Sequence, residues 1–281
     1  MQHSTAKSEA VRAFYRDLPF NYYSDSELAV QSLAQNPLAT YPDLDDLLEQ
    51  DSLKTVLELG CGAGWAANSL AHHYGKQVVA VDFTPPALAR AREVAERLGT
   101  TQRVEFVESD IFAFETEKRF DLVLSIGALH HTVDCRAAFA HAASFVAPGG
   151  FLFVGLYHLY GRRPFLEMMH KIAAESGEAA AFDQFRKMAE AQTDDTHLRS
   201  WFRDQVLHPH ETQHTAAEVW DWLEDAGLMF ASTNLNGFEP VARREELVAI
   251  EPKFEQLSIQ RNRDEQRYFP GFFTVLAEKP E

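Results

Sequence analysis

Hydrophobic and polar positions change period several times along this chain of 281 residues. Residues 7–50 read as helical and rich in aromatics (Phe14, Tyr15, Phe20, Tyr22, Tyr23), with breaks at Pro19, Pro37 and Pro42. Then the pattern switches. Residues 55–59 are a short apolar run that stops at glycines, as a buried parallel strand does. Further strands are predicted over 77–81, 104–107, 120–125 and 151–156. Helices are predicted over 65–73, 86–98 and 137–146, with stops at Gly99 and at Pro148-Gly149-Gly150. Repeated alternation at this spacing predicts an α/β fold, a doubly wound and mostly parallel sheet with helices on both faces.

The alternation stops after residue 157. Residues 158–213 read as a helical cap with apolar positions at Phe165, Leu166, Met169, Ile172, Phe182, Phe185 and Met188. It resumes over 215–226, where Thr215 and Glu218 have capping-box spacing. A sixth strand starts at 227–230 and a seventh covers 272–277, separated by a charged helical insertion over 240–266. The organisation expected is therefore a helical lid over 1–50, an α/β core over 51–157, a cap over 158–213, and completion of a seven-stranded, Rossmann-like sheet over 214–281.

The segment Glu58-Leu59-Gly60-Cys61-Gly62-Ala63-Gly64 lies where the first strand meets the first helix. Glycines there let the backbone turn tightly, approach a ligand without a Cβ clash and aim N–H groups outward. Asp82, 18 residues past Gly64 at the end of the second strand, is placed to accept hydrogen bonds from ribose hydroxyls. A dinucleotide fingerprint fits only when counted from Gly62, two residues late, because Trp65 spoils the earlier frame. Spacing alone leaves NAD open.

Taken motif by motif, the chain resembles the class I S-adenosylmethionine-dependent methyltransferases. Residues 56–64 are similar to their first motif, in which an acid precedes three alternating glycines. Ala80-Val81-Asp82-Phe83 resembles the second and Glu108-Ser109-Asp110-Ile111 the third. Residues 121–131, ending in Leu129-His130-His131, resemble the fourth, and Ala147-Pro148-Gly149-Gly150-Phe151-Leu152 the fifth. The resemblance spans about 53–157 and the final helix and two strands. It implies a methyltransferase with S-adenosyl-L-methionine as cofactor. It also implies that Gly60, Gly62 and Gly64 lie at the methionine part, that Glu58 supports the loop, and that Cys61 and Ser125 belong to the cofactor site. Asp82 would take the ribose, Phe83 one adenine face and Asp110 the adenine amino group, with Ile111 beside it. The plainer alternative for both aspartates is helix capping. Tyr22 and Tyr23 are candidates for a lid over the cofactor.

Methyl transfer from a sulfonium is an in-line displacement, which needs an aligned acceptor and, for a hydroxyl or ammonium, a base. Candidate catalytic residues are His130 and His131 after the fourth strand, and Tyr157 and His158 leaving the fifth. Candidate substrate contacts are Tyr160, Arg162, His208 and His210, an arginine here being suited to a carboxylate or phosphate. Some relatives bind a divalent ion through Glu-x-x-Glu-His, but the matching residues here are Gly127, His130 and His131, so no metal is expected there. The segment His208-Pro209-His210-Glu211-Thr212-Gln213-His214 could ligate a metal, although a capped, solvated turn is the commoner role.

Charge and composition narrow the acceptor. A formal net charge of −16 opposes general nucleic-acid binding, leaving a small molecule as the expected partner. The chain has no 20-residue apolar stretch for a membrane span, and its two cysteines do not suggest a disulfide framework, so a cytoplasmic protein is expected. Competing expectations are a protein-directed or non-catalytic S-adenosylmethionine-binding module and an NAD-dependent oxidoreductase.

Overall fold

A computed structural model describes residues 2–189 and 194–281. The segment 190–193 of the expected cap lies outside them. The chain opens with helices α1 (Gln2–Asp17), α2 (Ser26–Leu33) and α3 (Pro42–Leu48), then enters the sheet. In order come β1 (Thr55–Leu59), α4 (Trp65–His73), β2 (Gln77–Asp82), α5 (Pro85–Leu98), β3 (Val104–Glu108), β4 (Phe120–Ile126), α6 (Cys135–Ser144) and β5 (Val146–Tyr157). Helices α7 (Leu159–Ser176), α8 (Glu178–Met188) and α9 (Asp195–Val206) follow. The chain ends with α10 (Ala216–Asp225), β6 (Met229–Thr233), α11 (Arg244–Ile259) and β7 (Phe272–Glu278).

The sheet order is β3-β2-β1-β4-β5-β7-β6, parallel except for β7, which runs antiparallel to both β5 and β6. Period-2 alternation assigns each strand two buried faces. Leu57, Leu59 and Val123 pack with Phe139 and Trp222 on one face, whereas Val56, Leu122 and Leu124 pack with Ala66, Leu70 and Leu44 on the other. The chain builds outward from β1 to β3 and then crosses back to β4. The carboxyl ends of β1 and β4 therefore diverge, which is where such sheets hold ligands.

Several boundaries differ from the expected ones for local reasons. Helix α6 stops at Ser144, and β5 starts at Val146, because its pairing with β4 shifts register around Pro148-Gly149-Gly150. The strand expected to start at 227–230 runs over Met229–Thr233. The capping box of Thr215 and Glu218 forms as expected. The insertion over 240–266 joins the cap: Phe254 fills the notch at Gly161 on α7, and Arg263 bonds Glu167 at 3.0 Å. A third core of Phe165, Met169, Phe182, Phe185, Leu198 and Phe202 holds α7, α8 and α9 together.

Candidate functional site

Between the ends of β1 and β4 lies a cavity of about 1000 Å³ whose floor is backbone. Gly60 and Gly62 adopt φ of 79° and 52°, the left-handed region that favours glycine. A Cβ at Gly60 would stand 2.3 Å from Ala128 Cβ, so the loop can touch the turn after β4 only without a side chain. At Gly62 a Cβ would meet no protein atom, and the residue borders the cavity. The Gly60 and Cys61 amides donate to the Val81 carbonyl at 2.8 and 3.0 Å, pinning the loop to β2. The Gly62 amide donates to Asp82 Oδ2 at 2.8 Å, and the Thr84 amide donates to Oδ1 at 2.8 Å. Asp82 is thus both a cap and a loop anchor, and each of its oxygens keeps a lone pair for a ligand. Burial pushes its carboxyl upward, and these backbone donors pull it back.

Phe83 and Ile111 form apolar walls of this cavity. Asp110 accepts from the Phe112 amide at 2.9 Å, so it too caps a turn, and from Arg12 at 2.8 Å. The guanidinium of Arg12 lies 5.6 Å from the Phe83 ring centroid. The cover is α1, through Val11, Arg12 and Tyr15, and not the expected Tyr22 and Tyr23. Tyr22 packs under Arg90 instead, and Tyr23 stacks on His197 with centroids 3.9 Å apart.

Three further expected cofactor residues lie off the cavity wall. Gly64 begins α4 at φ 78°, and a Cβ there would come within 2.6 Å of Ala91 Cβ, so its job is helix packing. Ser125 is buried and donates to the Leu59 carbonyl at 2.8 Å, tying β4 to β1. Glu58 is buried behind the loop, and burial pushes its carboxyl up to about 8.

A second cavity of about 1240 Å³, counting its mouth, adjoins the first along Phe20, Trp65, Ile126 and Gly127. Its lining is aromatic, including Tyr23, Tyr41, Tyr157, Trp201, Tyr268 and Phe272, with the buried carboxylate of Asp204 among them. At the boundary stands His131. Its Nδ1 is 3.0 Å from the His210 carbonyl, which only accepts, so Nδ1 carries the proton and Nε2 presents a lone pair. Burial pulls this imidazole down to about 4, so it is neutral at pH 7. Its Nε2 lies 3.9 Å from Asp204 Oδ1 and has no hydrogen-bond partner. Asp204 accepts from Tyr15 at 2.6 Å, Gln205 at 2.9 Å and Tyr157 at 3.2 Å.

Of the other expected site residues, His130 is fully buried against Tyr157 with no ring partner and borders neither cavity. His158 caps α7, its Nδ1 accepting from the Gly161 amide at 3.1 Å, so it is structural. Tyr160 packs beside it, away from both cavities. Arg162 is fully buried and cannot receive a substrate carboxylate, because its donors are taken. It bonds Glu211 at 3.1 and 2.9 Å and Gln205 at 3.0 and 2.7 Å, and lies 3.8 Å over the Tyr157 ring. The segment 208–214 is not a solvated turn. His210 Nε2 meets the Thr132 carbonyl at 3.0 Å, the Thr212 amide donates to the His130 carbonyl at 2.8 Å, and His208 stacks on His131 with centroids 3.7 Å apart.

The sequence reading passed over Arg12, Tyr15, Trp65, Asp204 and Gln205. A signal was there for the last two. In α9, Trp201, Asp204 and Gln205 stand at i, i+3 and i+4, one face carrying a charge where a core helix would be apolar.

A family model described as a methyltransferase domain matches residues 56–150. An uncharacterized methyltransferase of Mycobacterium tuberculosis is 35% identical over 130 residues, which are 42% of this chain and 64% of that protein. The tRNA 5-carboxymethoxyuridine methyltransferase of Escherichia coli is 26% identical over 191 residues, 66% of this chain and 65% of that protein. The crystal structure of magnesium protoporphyrin IX methyltransferase from Synechocystis PCC 6803 with bound SAH shares the fold, with a TM-score of 0.51 at 17% identity over 98% of this chain and 95% of that one. The chain spans about half the length of the first curated relatives it matches, 47%, 51% and 46%. No helix among the described residues is long and apolar enough to cross a membrane.

Proposed function

We propose that this chain, whose residues 56–150 match the methyltransferase-domain model, is a class I S-adenosylmethionine-dependent methyltransferase that methylates a small molecule. The observation that carries the proposal is the meeting of two cavities across Trp65, Ile126 and Gly127, one built for a nucleoside and one lined with aromatics. The donor side fits S-adenosylmethionine: glycine positions lining the cavity at Gly60 and Gly62, an Asp82 carboxyl beside them, and apolar walls at Phe83 and Ile111. When bound, that cofactor supplies a methyl group on a positively charged sulfur. The chain's own residues do the rest. Trp65, Ile126 and Gly127 hold the acceptor at the boundary, α1 with Tyr15 excludes water, and His131 Nε2 stands ready to take a proton. The net charge of −16 favours a small acceptor over a nucleic acid.

Calorimetric titration with S-adenosylmethionine tests the donor half. We expect one site with a dissociation constant below about 1 mM, weakened at least tenfold by Asp82→Asn. No heat of binding at that concentration would sink the proposal. Release of S-adenosylhomocysteine on an acceptor panel tests the transfer itself.

A further inference from the structure

At the boundary between the two cavities a buried carboxyl stands with no basic side chain bonded to it. Arg162, behind it, is committed to Glu211 through two hydrogen bonds of 3.1 and 2.9 Å, and burial pushes the Asp204 carboxyl up. His130, His131 and His208 are all held neutral by burial. Asp204 is therefore left without a cation of its own. It is 4% exposed, and its three donors, Tyr15, Tyr157 and Gln205, are all neutral. A buried carboxylate in that position is costly unless a positive group joins it. Beside it the lone pair of His131 Nε2 faces Asp204 Oδ1 across 3.9 Å, so two acceptors confront one another with nothing between them.

Three occupants could fill this place in principle, and the geometry separates them. A divalent metal would draw on His131, Asp204 and His208, whose donor atoms lie within 4.8 Å of one another. However, His208 Nδ1 accepts from the His210 amide at 3.1 Å, so in its neutral form Nε2 carries the proton and has no lone pair to give. Only two ligand atoms remain, fewer than metal sites use. A water molecule would satisfy the hydrogen bonds but not the charge. An ammonium group does both. A nitrogen about 2.9 Å from each of two acceptors 3.9 Å apart subtends an angle of roughly 85° between them, within reach of two N–H donors on one nitrogen. The aromatic walls at Tyr157, Trp201 and Tyr268 suit the apolar body of such a ligand and its charge.

We propose that the methyl acceptor is a primary or secondary amine, bound as its ammonium with N–H groups on Asp204 Oδ1 and His131 Nε2. This rests on the methyltransferase reading given above. One proton passes from the ammonium to His131 Nε2, leaving a neutral amine and an imidazolium beside Asp204. The nitrogen lone pair then forms the N–C bond, and the electron pair of the breaking C–S bond stays on sulfur, giving a neutral thioether and an N-methylammonium product. The imidazolium returns its proton to solvent. Asp204 is a binding residue in this scheme and His131 the catalytic base.

The test compares shape-matched ligands that differ at one group, phenethylamine and tryptamine against phenethyl alcohol and tryptophol. Binding to the full chain is followed by calorimetry at pH 7.5, with and without S-adenosylhomocysteine. We expect at least one amine to bind at least tenfold more tightly than its alcohol, and Asp204→Asn to reduce that ratio to about one with the fold intact by circular dichroism. Equal binding of amine and alcohol, or no amine binding at 5 mM (about the weakest affinity of use here), overturns the proposal. So does one-to-one uptake of zinc or manganese that His208→Ala abolishes. The wild-type ratio decides the matter even if the variant misfolds. Failure of S-adenosylhomocysteine to bind would count against the methyltransferase reading alone, because the amine ratio is also measured without it.

Discussion

The two cavities are built in opposite ways. On the donor side the working surface is main chain: glycine conformations, amides of Gly60 and Cys61 on the Val81 carbonyl, and one aspartate anchoring the Gly62 amide. These parts come from a single strand-turn-helix and the strand beside it, with walls added from α1 and the ends of β3 and β4. On the acceptor side the surface is side chains, brought from α1, the turn after β4, the end of β5, α9 and the loop beyond it. Backbone recognition tolerates little variation and leaves a motif. Side-chain recognition is assembled across nearly two hundred residues, as in the Tyr15 to Asp204 bond, and leaves none. The contrast suggests that the donor is fixed by geometry and the acceptor by charge.

The strongest blow to that contrast would fall on Arg162. Replacing it with Met leaves Glu211 largely buried and unpaired and removes the bonds to Gln205. We expect a loss of about 3–5 kcal/mol in urea denaturation, with partial recovery in the double variant Arg162→Met, Glu211→Gln. A loss under about 1 kcal/mol would mean that packing, not charge, holds the acceptor side.

The glycine loop allows a finer cut. Gly60→Ala meets both a left-handed backbone penalty and a contact at 2.3 Å with Ala128, so we expect about 2–4 kcal/mol of lost stability and a large loss of S-adenosylhomocysteine affinity. Gly62→Ala meets the backbone penalty alone, about 1–2 kcal/mol, and its methyl group faces open space at the cavity. Denaturation and calorimetry on the pair should therefore separate, Gly60 losing both properties and Gly62 mostly affinity. Equal behaviour would show that the loop acts as a motif without positional roles.

Much of this difference was readable in advance. Five alternations of strand and helix, the glycine spacing and Asp82 at a strand end are short-range patterns, and the sheet forms as they imply. Arg162 shows where such patterns stop. As an isolated residue leaving a strand it suggested an anion site, and only its burial against Glu211, 49 positions away, reveals an internal ion pair. His158 and Gly64 follow strand ends, where site residues are expected, but their contacts are a helix cap and a helix packing point. Asp204 carried a weak helical-face signal that nothing local could connect to His131.

Acidity should divide the two regions. His131, His158 and His197 are drawn down to about 4 and His208 to about 3, from an unfolded value of 6.5. Between about 6.5 and 4 the unfolded chain binds protons that the fold does not, so their contribution is lost as pH falls through that window. Glu58, behind the donor loop, is raised to about 8 from 4.5. Its protonated form is favoured in the fold, so its contribution is present at low pH and lost as pH rises towards 8. Hydrogen exchange at pH 5 and pH 8 should show α7 and α9 losing protection at the acid end relative to β1 and α4. Each histidine is worth on the order of 1 kcal/mol there. Uniform change across the molecule would remove the regional distinction.

The smallest effect concerns the helix that roofs the donor cavity. Arg12 bridges α1 to Asp110, and its side chain and that of Asp110 are 40% and 26% exposed, so the pair contributes well under 1 kcal/mol to stability. Yet α1 lines the cavity, so its position bears on how a ligand enters and leaves. A weak latch at an entrance affects rates before it affects equilibria. Arg12→Gln should therefore speed both association and dissociation of S-adenosylhomocysteine in stopped-flow fluorescence, by roughly threefold each, with little change in affinity. Because the pair is exposed, about 0.5 M salt should screen it and bring the wild-type rates close to those of the variant. The variant itself should respond much less to salt. If salt moves both proteins equally, the Tyr15 bond to Asp204 is the latch, and the acceptor side governs entry to the donor side as well.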